Sequence, residues 1–590
     1  MPPGLSRPRL GHKRPIDWSR RTPRRLAFHF PGAVSRQGAF VWPATPCLER
    51  QQKDNLGSVW WDSQRESPAM ENGEGSKKVS STSHEGSSLA VAYVVRRLHN
   101  WNRLRHIPGP RTCGWTDIWM LRRAWSGSLY EDLGELCQQH GPLVRIAPNY
   151  LICGKPAEVR RMWGVRSKWD RSPWYKGFQL DPPRDCTLSM RDNELHAALR
   201  SKLAPGYSGK GIESLQESVD KQIAKFIRLL ETKYLSTDTE LRPVDVARKV
   251  QYLTLDVIST LAFGRTFGFL DKDGDLFDYI KTTEESLPLM QMIALLPWLV
   301  NVLQSRLFEA FLPSHTDVVG LGRVMGIAKE VVAERYGPKK ITKADMLGSF
   351  VAHGLSQREA EAESLVQIVA GSDTTATTLR ISLLLLTTSP KAYTTLVSEI
   401  DGAISQNRIS SPVTDAEART LPFLQACIKE CFRFWPPITG IMPRVCPQES
   451  VVCGVKVPGG TNVGWSARAV LRDKEVFGSD AEAFWPGRWL QRISKEGNKE
   501  GVEQAETETE RLNRMERTVE LVFGQGKWGC LGKSISLLEI NKVLVELFRR
   551  FDFAILNPAH PMETFNYGVS MQYGLYMRIS RRTDKANETI

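Results

Sequence analysis

The run FGQGKWGCLG, residues 523–532, sets glycines on both sides of a single thiol, Cys530. Glycine lets the backbone take angles other residues avoid and lets it approach a bulky object closely. A thiolate is a strong iron ligand, and a haem plane requires loop backbone to pass close beneath it. On that reading Phe523 packs beside ring and sulfur, Gly526 permits the turn and Gly532 the start of the next helix. N–H groups aimed at the sulfur would steady a thiolate, as would the positive end of the helix in CLGKSISLLEINKVLVELFRRFDF. The competing reading is a buried cysteine in a glycine turn.

Two further constellations lie upstream. In IKECFRFWPP, Glu430 and Arg433 are three residues apart and share a helix face. Alone they are a surface ion pair, which contributes little. Arg488 in FWPGRWL (484–490), flanked by aromatics, offers a third member, and the three together would make a buried network satisfied only when complete. In AGSDTT (370–375), Ala370 and Gly371 leave a gap on one face of a helix, while Asp373 and Thr374 put a carboxylate and a hydroxyl there. A threonine can return its hydrogen bond to the backbone and open the helix locally. That suits a proton path toward bound dioxygen; it equally suits a small-residue helix crossing.

The elements that must hold these residues are mostly helical. Apolar residues recur at helical spacing over 129–142, over 214–234 and over 246–264, and the longest helix is expected from Gln357 to Ser389, stopped by Pro390. Short β-rich pieces appear at 142–154 and 449–465. The expected fold is mainly α with small β-sheets (α+β). Residues 1–88 are Arg-, Ser- and Gly-rich and read as a disordered extension, a transit-like segment or a misplaced start; 89–105 is a short apolar and basic stretch, too short to span a bilayer; the folded domain is 106–590. Residues 494–517 read as a solvated insertion. With 590 residues, 41% hydrophobic and 24% charged, the chain is globular, and its net charge of +14 is spread without an aromatic-interleaved basic block, which argues against nucleic acid. Ten cysteines at irregular positions, with no C-x-x-C pair, argue against a zinc site or disulfide framework and for a reducing compartment. Cys427 and Cys431 read as two packed thiols.

The three constellations stand in one order in one chain, and the sequence resembles the cytochrome P-450 haem-thiolate monooxygenases over about residues 106–585. It looks closest to their fungal pisatin-demethylase-like branch, on GPLVRIAPN, TLSMRDN, LAPGYSG, GCLGK and FNYGV. The resemblance implies a single large haem domain with Cys530 as proximal ligand of haem b, Asp373 and Thr374 delivering protons during oxygen activation, and Glu430, Arg433 and Arg488 locking the core beneath the haem. It implies propionate contacts from His196 and Arg200 in HAALR, from Arg444 in MPRVCP and from Lys527, with Phe523, Gly526 and Gly532 shaping the loop. The substrate walls would come from 168–180, Gln367–Ala370, Ile438–Ile441, Tyr567 and Val569.

Two departures stand out. The family's basic residue two positions before the cysteine is Trp528 here, with Lys527 before it, which puts the reach of Lys527 to a propionate in question. An Arg-rich segment replaces most of the usual N-terminal membrane anchor. The resemblance further implies a hydrophobic substrate, fungal secondary or xenobiotic metabolism, dioxygen, and electrons from NADPH through a separate flavoprotein reductase, since no nucleotide fingerprint is present. It implies peripheral membrane association at the cytosolic face of the endoplasmic reticulum, with mitochondria as the alternative from the Arg-rich start. A non-oxidative haem-thiolate isomerase or dehydratase, or an inactive haem-binding protein, are the other functions weighed.

Overall fold

The computed structural model describes residues 93–582, apart from 182–183, 210–211, 213, 306, 309–311 and 492–506. The chain divides into two units, Met1–Arg96 and Arg97–Ile590. Of the first, only 93–96 are described, so the expectations for 1–88 and for 89–92 lie outside the described residues. The second unit is the folded domain.

One helix, Gln357–Thr387, organises the interior. Its start is a full capping box: Ser356 accepts from the Glu359 N–H, and Glu359 reaches back to the Ser356 N–H. It is buried on nearly every side, because it packs against the Val246–Phe263, Gly320–Ala333, Pro422–Phe434 and Lys533–Phe548 helices. It ends one turn before Pro390, which opens the next helix at a position where no N–H is needed. The Val246–Phe263 helix stops at Gly264, whose φ of +66° allows its N–H to return to the Thr260 carbonyl.

The two β-rich stretches found in the sequence join in one five-stranded sheet, in the order Leu143–Ala147, Tyr150–Cys153, Asn462–Trp465, Arg444–Val445, Asp170–Arg171. The Tyr150–Cys153 and Asn462–Trp465 pair is parallel and the others antiparallel. This sheet brings Arg444 and Arg171, far apart in sequence, into register as direct partners. A separate hairpin pairs Ser450–Val452 with Val455–Val457. The expected insertion at 494–517 is corrected in its second half: Glu508–Val519 is a helix capped by Thr507 and Glu510, with Met515 and Val519 in the core. Charge hid it, because only one narrow face is apolar. Among the described residues no helix is long and apolar enough to cross a membrane.

The Glu430 network is present and buried. Its carboxylate accepts five hydrogen bonds, from Arg433 Nε (2.8 Å) and Nη2 (2.7 Å), Arg488 Nε (3.0 Å), the Trp485 N–H (2.8 Å) and Trp489 Nε1 (2.9 Å). Burial alone would raise the pKa of Glu430; Arg433, Arg488 and the Trp485 N–H outweigh it and hold the group below its usual range. The remaining guanidinium N–H groups go to the carbonyls of Leu471, Ala481 and Ala483 and to Phe477, Asp480 and Ala483. Arg433→Ala leaves a buried carboxylate short of its main partner and is expected to lower unfolding stability by about 3–5 kcal/mol. Lys429→Ala, which breaks a half-exposed pair with Glu516, should stay within about 0.5 kcal/mol. Urea unfolding of the two variants checks the contrast, and equal losses would contradict it.

Candidate functional site

The 523–532 loop is closed by the Cys530 N–H donating to the Phe523 carbonyl at 2.7 Å and the Gly529 N–H to Gly526 at 3.1 Å. Phe523 meets Phe432 edge-on, ring centroids 5.1 Å apart, which ties the loop to the helix of Glu430. Gly526 has φ +67°, and a Cβ there would stand 2.5 Å from the Trp163 carbonyl, so backbone and space both require glycine. Gly532 is different. Its φ is −79°, and a Cβ would come no nearer than 3.9 Å to Cys530 Sγ or the Tyr207 ring. The expected need for glycine at the helix start is therefore not made by protein atoms; the free space lies beside the sulfur.

Cys530 lines an open cavity of about 310 Å³ and is solvent-accessible there. Burial raises the thiol pKa overall, against the pull of the Gly532 and Lys533 N–H groups and the Arg200 guanidinium. The N–H groups expected to face the sulfur are thus those of the first turn of the Lys533–Phe548 helix.

Around this loop stand three arginines without a carboxylate partner among the described residues. Arg171 is buried; its Nη1 donates to the carbonyls of Thr187, Leu188 and Met190, and its Cζ lies 4.1 Å from the Trp528 ring centroid. Arg444 is buried and donates to the Tyr175 hydroxyl and the Met442 carbonyl. Arg200 donates to the Gly529 carbonyl at 2.6 Å. None of the three meets a carboxylate at ion-pair distance among the described residues. Burial, with Arg444 and Arg200 nearby, lowers the Arg171 pKa to about 10. The Nε atoms of Arg171 and Arg444 and the Nε1 of Trp528 are buried donors with no acceptor. Buried donors and buried charge are rarely left so. His196 lies over Trp528, centroids 4.0 Å apart. Lys527, by contrast, pairs with Asp170 at 3.2 Å, as the departure at Trp528 gave reason to ask.

Sequence reasoning missed Arg171 as an anion site. Its signal was the one that singled out Arg488, an arginine among aromatics, here in KWDRSPWY. Through its stack on Trp528, Arg171 brings across space the positive charge that the loop itself lacks at that position. The donor set fits the group the sequence implies: a thiol for iron, and three unsatisfied N–H donors for two carboxylates.

On the long helix both readings of AGSDTT find support. A Cβ at Gly371 would stand 2.9 Å from Ile258, so the stretch is a crossing with the Val246–Phe263 helix. Thr374 does donate to the Ala370 carbonyl, at 2.9 Å, and the helix stays unbroken. Asp373 is buried and accepts from Gln251 Nε2 at 2.6 Å; Gln251 Oε1 in turn accepts from Arg380 Nη2 at 2.7 Å. Burial raises the Asp373 pKa to about 6 against the pull of Arg380 and Gln251. Gln251 and Arg380 were also unforeseen, since nothing in either helix marks a polar side chain as facing its neighbour.

The expected substrate walls partly converge. Ile438 bridges Val569, the N–H groups of Thr439 and Gly440 donate to Gly568, and the Trp174 ring packs beside Gly440. Gln367 is buried, with its Nε2 on Met346 Sδ.

The cytochrome P450 family model matches residues 109–577. The chain is 38% identical over 504 residues to cytochrome P450 monooxygenase ABA1 of Pyricularia oryzae, covering 84% of this chain and 95% of that protein. It is 34% identical over 482 residues to cytochrome P450 monooxygenase aba1 of Botryotinia fuckeliana, covering 81% and 92%. It is 35% identical over 490 residues to cytochrome P450 monooxygenase abl1 of Leptosphaeria maculans, covering 82% and 84%.

Burial, then Arg171, Arg200 and Lys527, lowers the His196 pKa to about 3. Unfolding therefore takes up a proton below about pH 6.5. The stability this gives is whole above that pH and is lost as pH falls through the window toward 3, by roughly 2 kcal/mol at pH 5. His196→Gln should flatten the fall in urea midpoint between pH 7.5 and pH 5; an unchanged slope contradicts the assignment.

Proposed function

The chain belongs to the cytochrome P450 family, and on that footing we propose that it inserts one atom of dioxygen into an apolar organic substrate, by hydroxylation or O-dealkylation. The observation that carries this is the accessible Cys530 thiol facing helix N–H groups, set beside buried guanidinium groups that no carboxylate among the described residues neutralises. Haem b held at this thiol would supply the dioxygen binding and electron uptake that no side chain offers. Arg171, Arg444 and Trp528 would hold its carboxylates through the N–H donors now without acceptors, and the neutral His196 would pack beside them. Asp373, ionising near pH 6, can hold and release a proton under working conditions. Gln251 and Arg380 fix which way its carboxyl points, and the Thr374 hydroxyl stands one residue on. The presence of this pair supports oxygenation over isomerisation, dehydration or an inactive haem protein.

Electrons would come from NADPH by way of a separate flavoprotein reductase. The rim of the Cys530 cavity carries Arg160, Arg200, Arg517 and Lys533 against one acid, Glu520, a surface suited to an acidic partner. Peripheral membrane association, at the endoplasmic reticulum on this reading, draws support as to a membrane surface alone from exposed Ile118 (65%) and Trp125 on the Ile118–Trp125 helix, which packs on the Tyr279–Leu295 helix carrying exposed Leu289. Arg122 and Arg123 flank that apolar patch. The substrate belongs to a hydrophobic class of the kind handled in secondary or xenobiotic metabolism.

The test is reconstitution with an NADPH-dependent flavoprotein reductase under ¹⁸O₂, with a panel of apolar cyclic hydrocarbons and aryl ethers. The expected result is reductase-dependent product in which hydroxylation adds one ¹⁸O atom per molecule. Asp373→Asn should cut product per NADPH at least tenfold. Products formed without reductase and without ¹⁸O would overturn the reading in favour of isomerisation or dehydration.

A further inference from the structure

Cys153 and Cys453 are three hundred residues apart, and their sulfurs lie 3.7 Å from one another. Cys153 ends the Tyr150–Cys153 strand and is fully buried. Cys453 sits in the turn of the Ser450–Val457 hairpin, where Val452 pairs with Val455 and only Cys453 and Gly454 remain between. Both turn residues have positive φ, +50° and +78°. Such a turn is met with least strain by Asn-Gly or Asp-Gly, and a cysteine in the left-handed region is uncommon. Strain held at one defined side chain points to a use for that side chain. Here the turn sends Sγ inward, against Cys153 and 3.9 Å from the Pro142 carbonyl.

The two thiols differ in the way an attacking and a resolving thiol must. Cys453 is half-buried and reachable from solvent; Cys153 is not. The Cys453 pKa is pulled down, first by contact with Cys153 and then, against burial and the Glu158 carboxylate, by Lys155 and Arg161. Arg161 is anchored to the same hairpin, donating to the Val451 carbonyl at 2.7 Å. An accessible thiol in contact with a second, buried thiol is the arrangement that peroxide oxidises reversibly.

We propose that Cys153 and Cys453 form an oxidation site, which hydrogen peroxide closes to an intramolecular disulfide. The Cys453 thiolate attacks one peroxide oxygen, the O–O bond breaks, and hydroxide leaves to become water. Cys453 is then a sulfenic acid. The Cys153 sulfur attacks it, the S–S bond forms, the S–O bond breaks, and a second water leaves. Two thiols give up two electrons and two protons, and one peroxide becomes two waters. The new bond fastens the hairpin to the sheet whose next strands carry Arg444 and Arg171. A third thiol, Cys137, lies close by across Gly154 and is the competing partner.

The test treats the full-length chain with one equivalent of hydrogen peroxide, alkylates it, and maps the digest by mass. The expected result is a Cys153–Cys453 linked peptide that dithiothreitol removes, with slower amide exchange over 450–457 in the oxidised protein. In Cys153→Ala, Cys453 should stall as a sulfenic acid that dimedone traps. A Cys137–Cys453 link, direct passage of Cys453 to sulfinic acid, or a freely alkylated Cys453 in the wild-type chain would each overturn the proposal.

Discussion

The Glu430 carboxylate is buried with five donors around it, and much of the molecule is arranged so that none of them is missing. Two of the donors lie on its own helix, and three come from the Trp485–Trp489 turn. The network therefore staples the end of the Pro422–Phe434 helix to the chain that runs on toward the cysteine loop. A buried ion network is not in itself a source of great stability, because desolvation opposes the attraction between charges. What it does supply is an all-or-none geometry: any other placement of the turn leaves a charge unpaired. Phe432, on that same helix, then carries the fixed position across to Phe523 and the loop.

The other electrostatic feature has the opposite character. Around Glu430 every charge is answered inside the protein, whereas beside Cys530 the guanidinium groups of Arg171, Arg444 and Arg200 meet carbonyls, the Tyr175 hydroxyl and aromatic faces, and no carboxylate among the described residues. Carbonyl dipoles take up hydrogen bonds but leave net positive charge in a buried place. That charge favours the anionic form of a thiol and any carboxylate brought to the site. Burial first, and then the charges of Arg171, Arg200 and Lys527, keep His196 neutral in the same cluster. The sheet matters because it sets Arg444 and Arg171 opposite one another, and the glycines of the loop matter because only Gly526 fits beneath the Trp163 carbonyl.

Local signals were legible in the sequence. Helix extents followed from apolar spacing and from Gly264 and Pro390, and Glu430, Arg433 and Arg488 could be grouped because each had a chemical reason to seek the others. What was not legible depended on contacts between distant segments. Arg171 gained its place from a sheet register, Gln251 and Arg380 from a helix crossing, and Lys527 was diverted by Asp170, none of which a linear pattern encodes. The Glu508–Val519 helix was hidden by its own charge, since a surface helix needs only a few apolar residues to dock. Gly532 was the reverse case, a glycine whose motif position suggested a steric demand that the protein atoms alone do not make.

The proposed role of Cys530 as the thiolate ligand of a haem is read out by the absorption spectrum of the reduced, carbon-monoxide-bound protein. Thiolate ligation by Cys530 gives a long-wavelength Soret band in the wild-type chain that is absent from Cys530→Ala. A folded wild-type protein with no haem band, or a band that Cys530→Ala leaves unchanged, would contradict it.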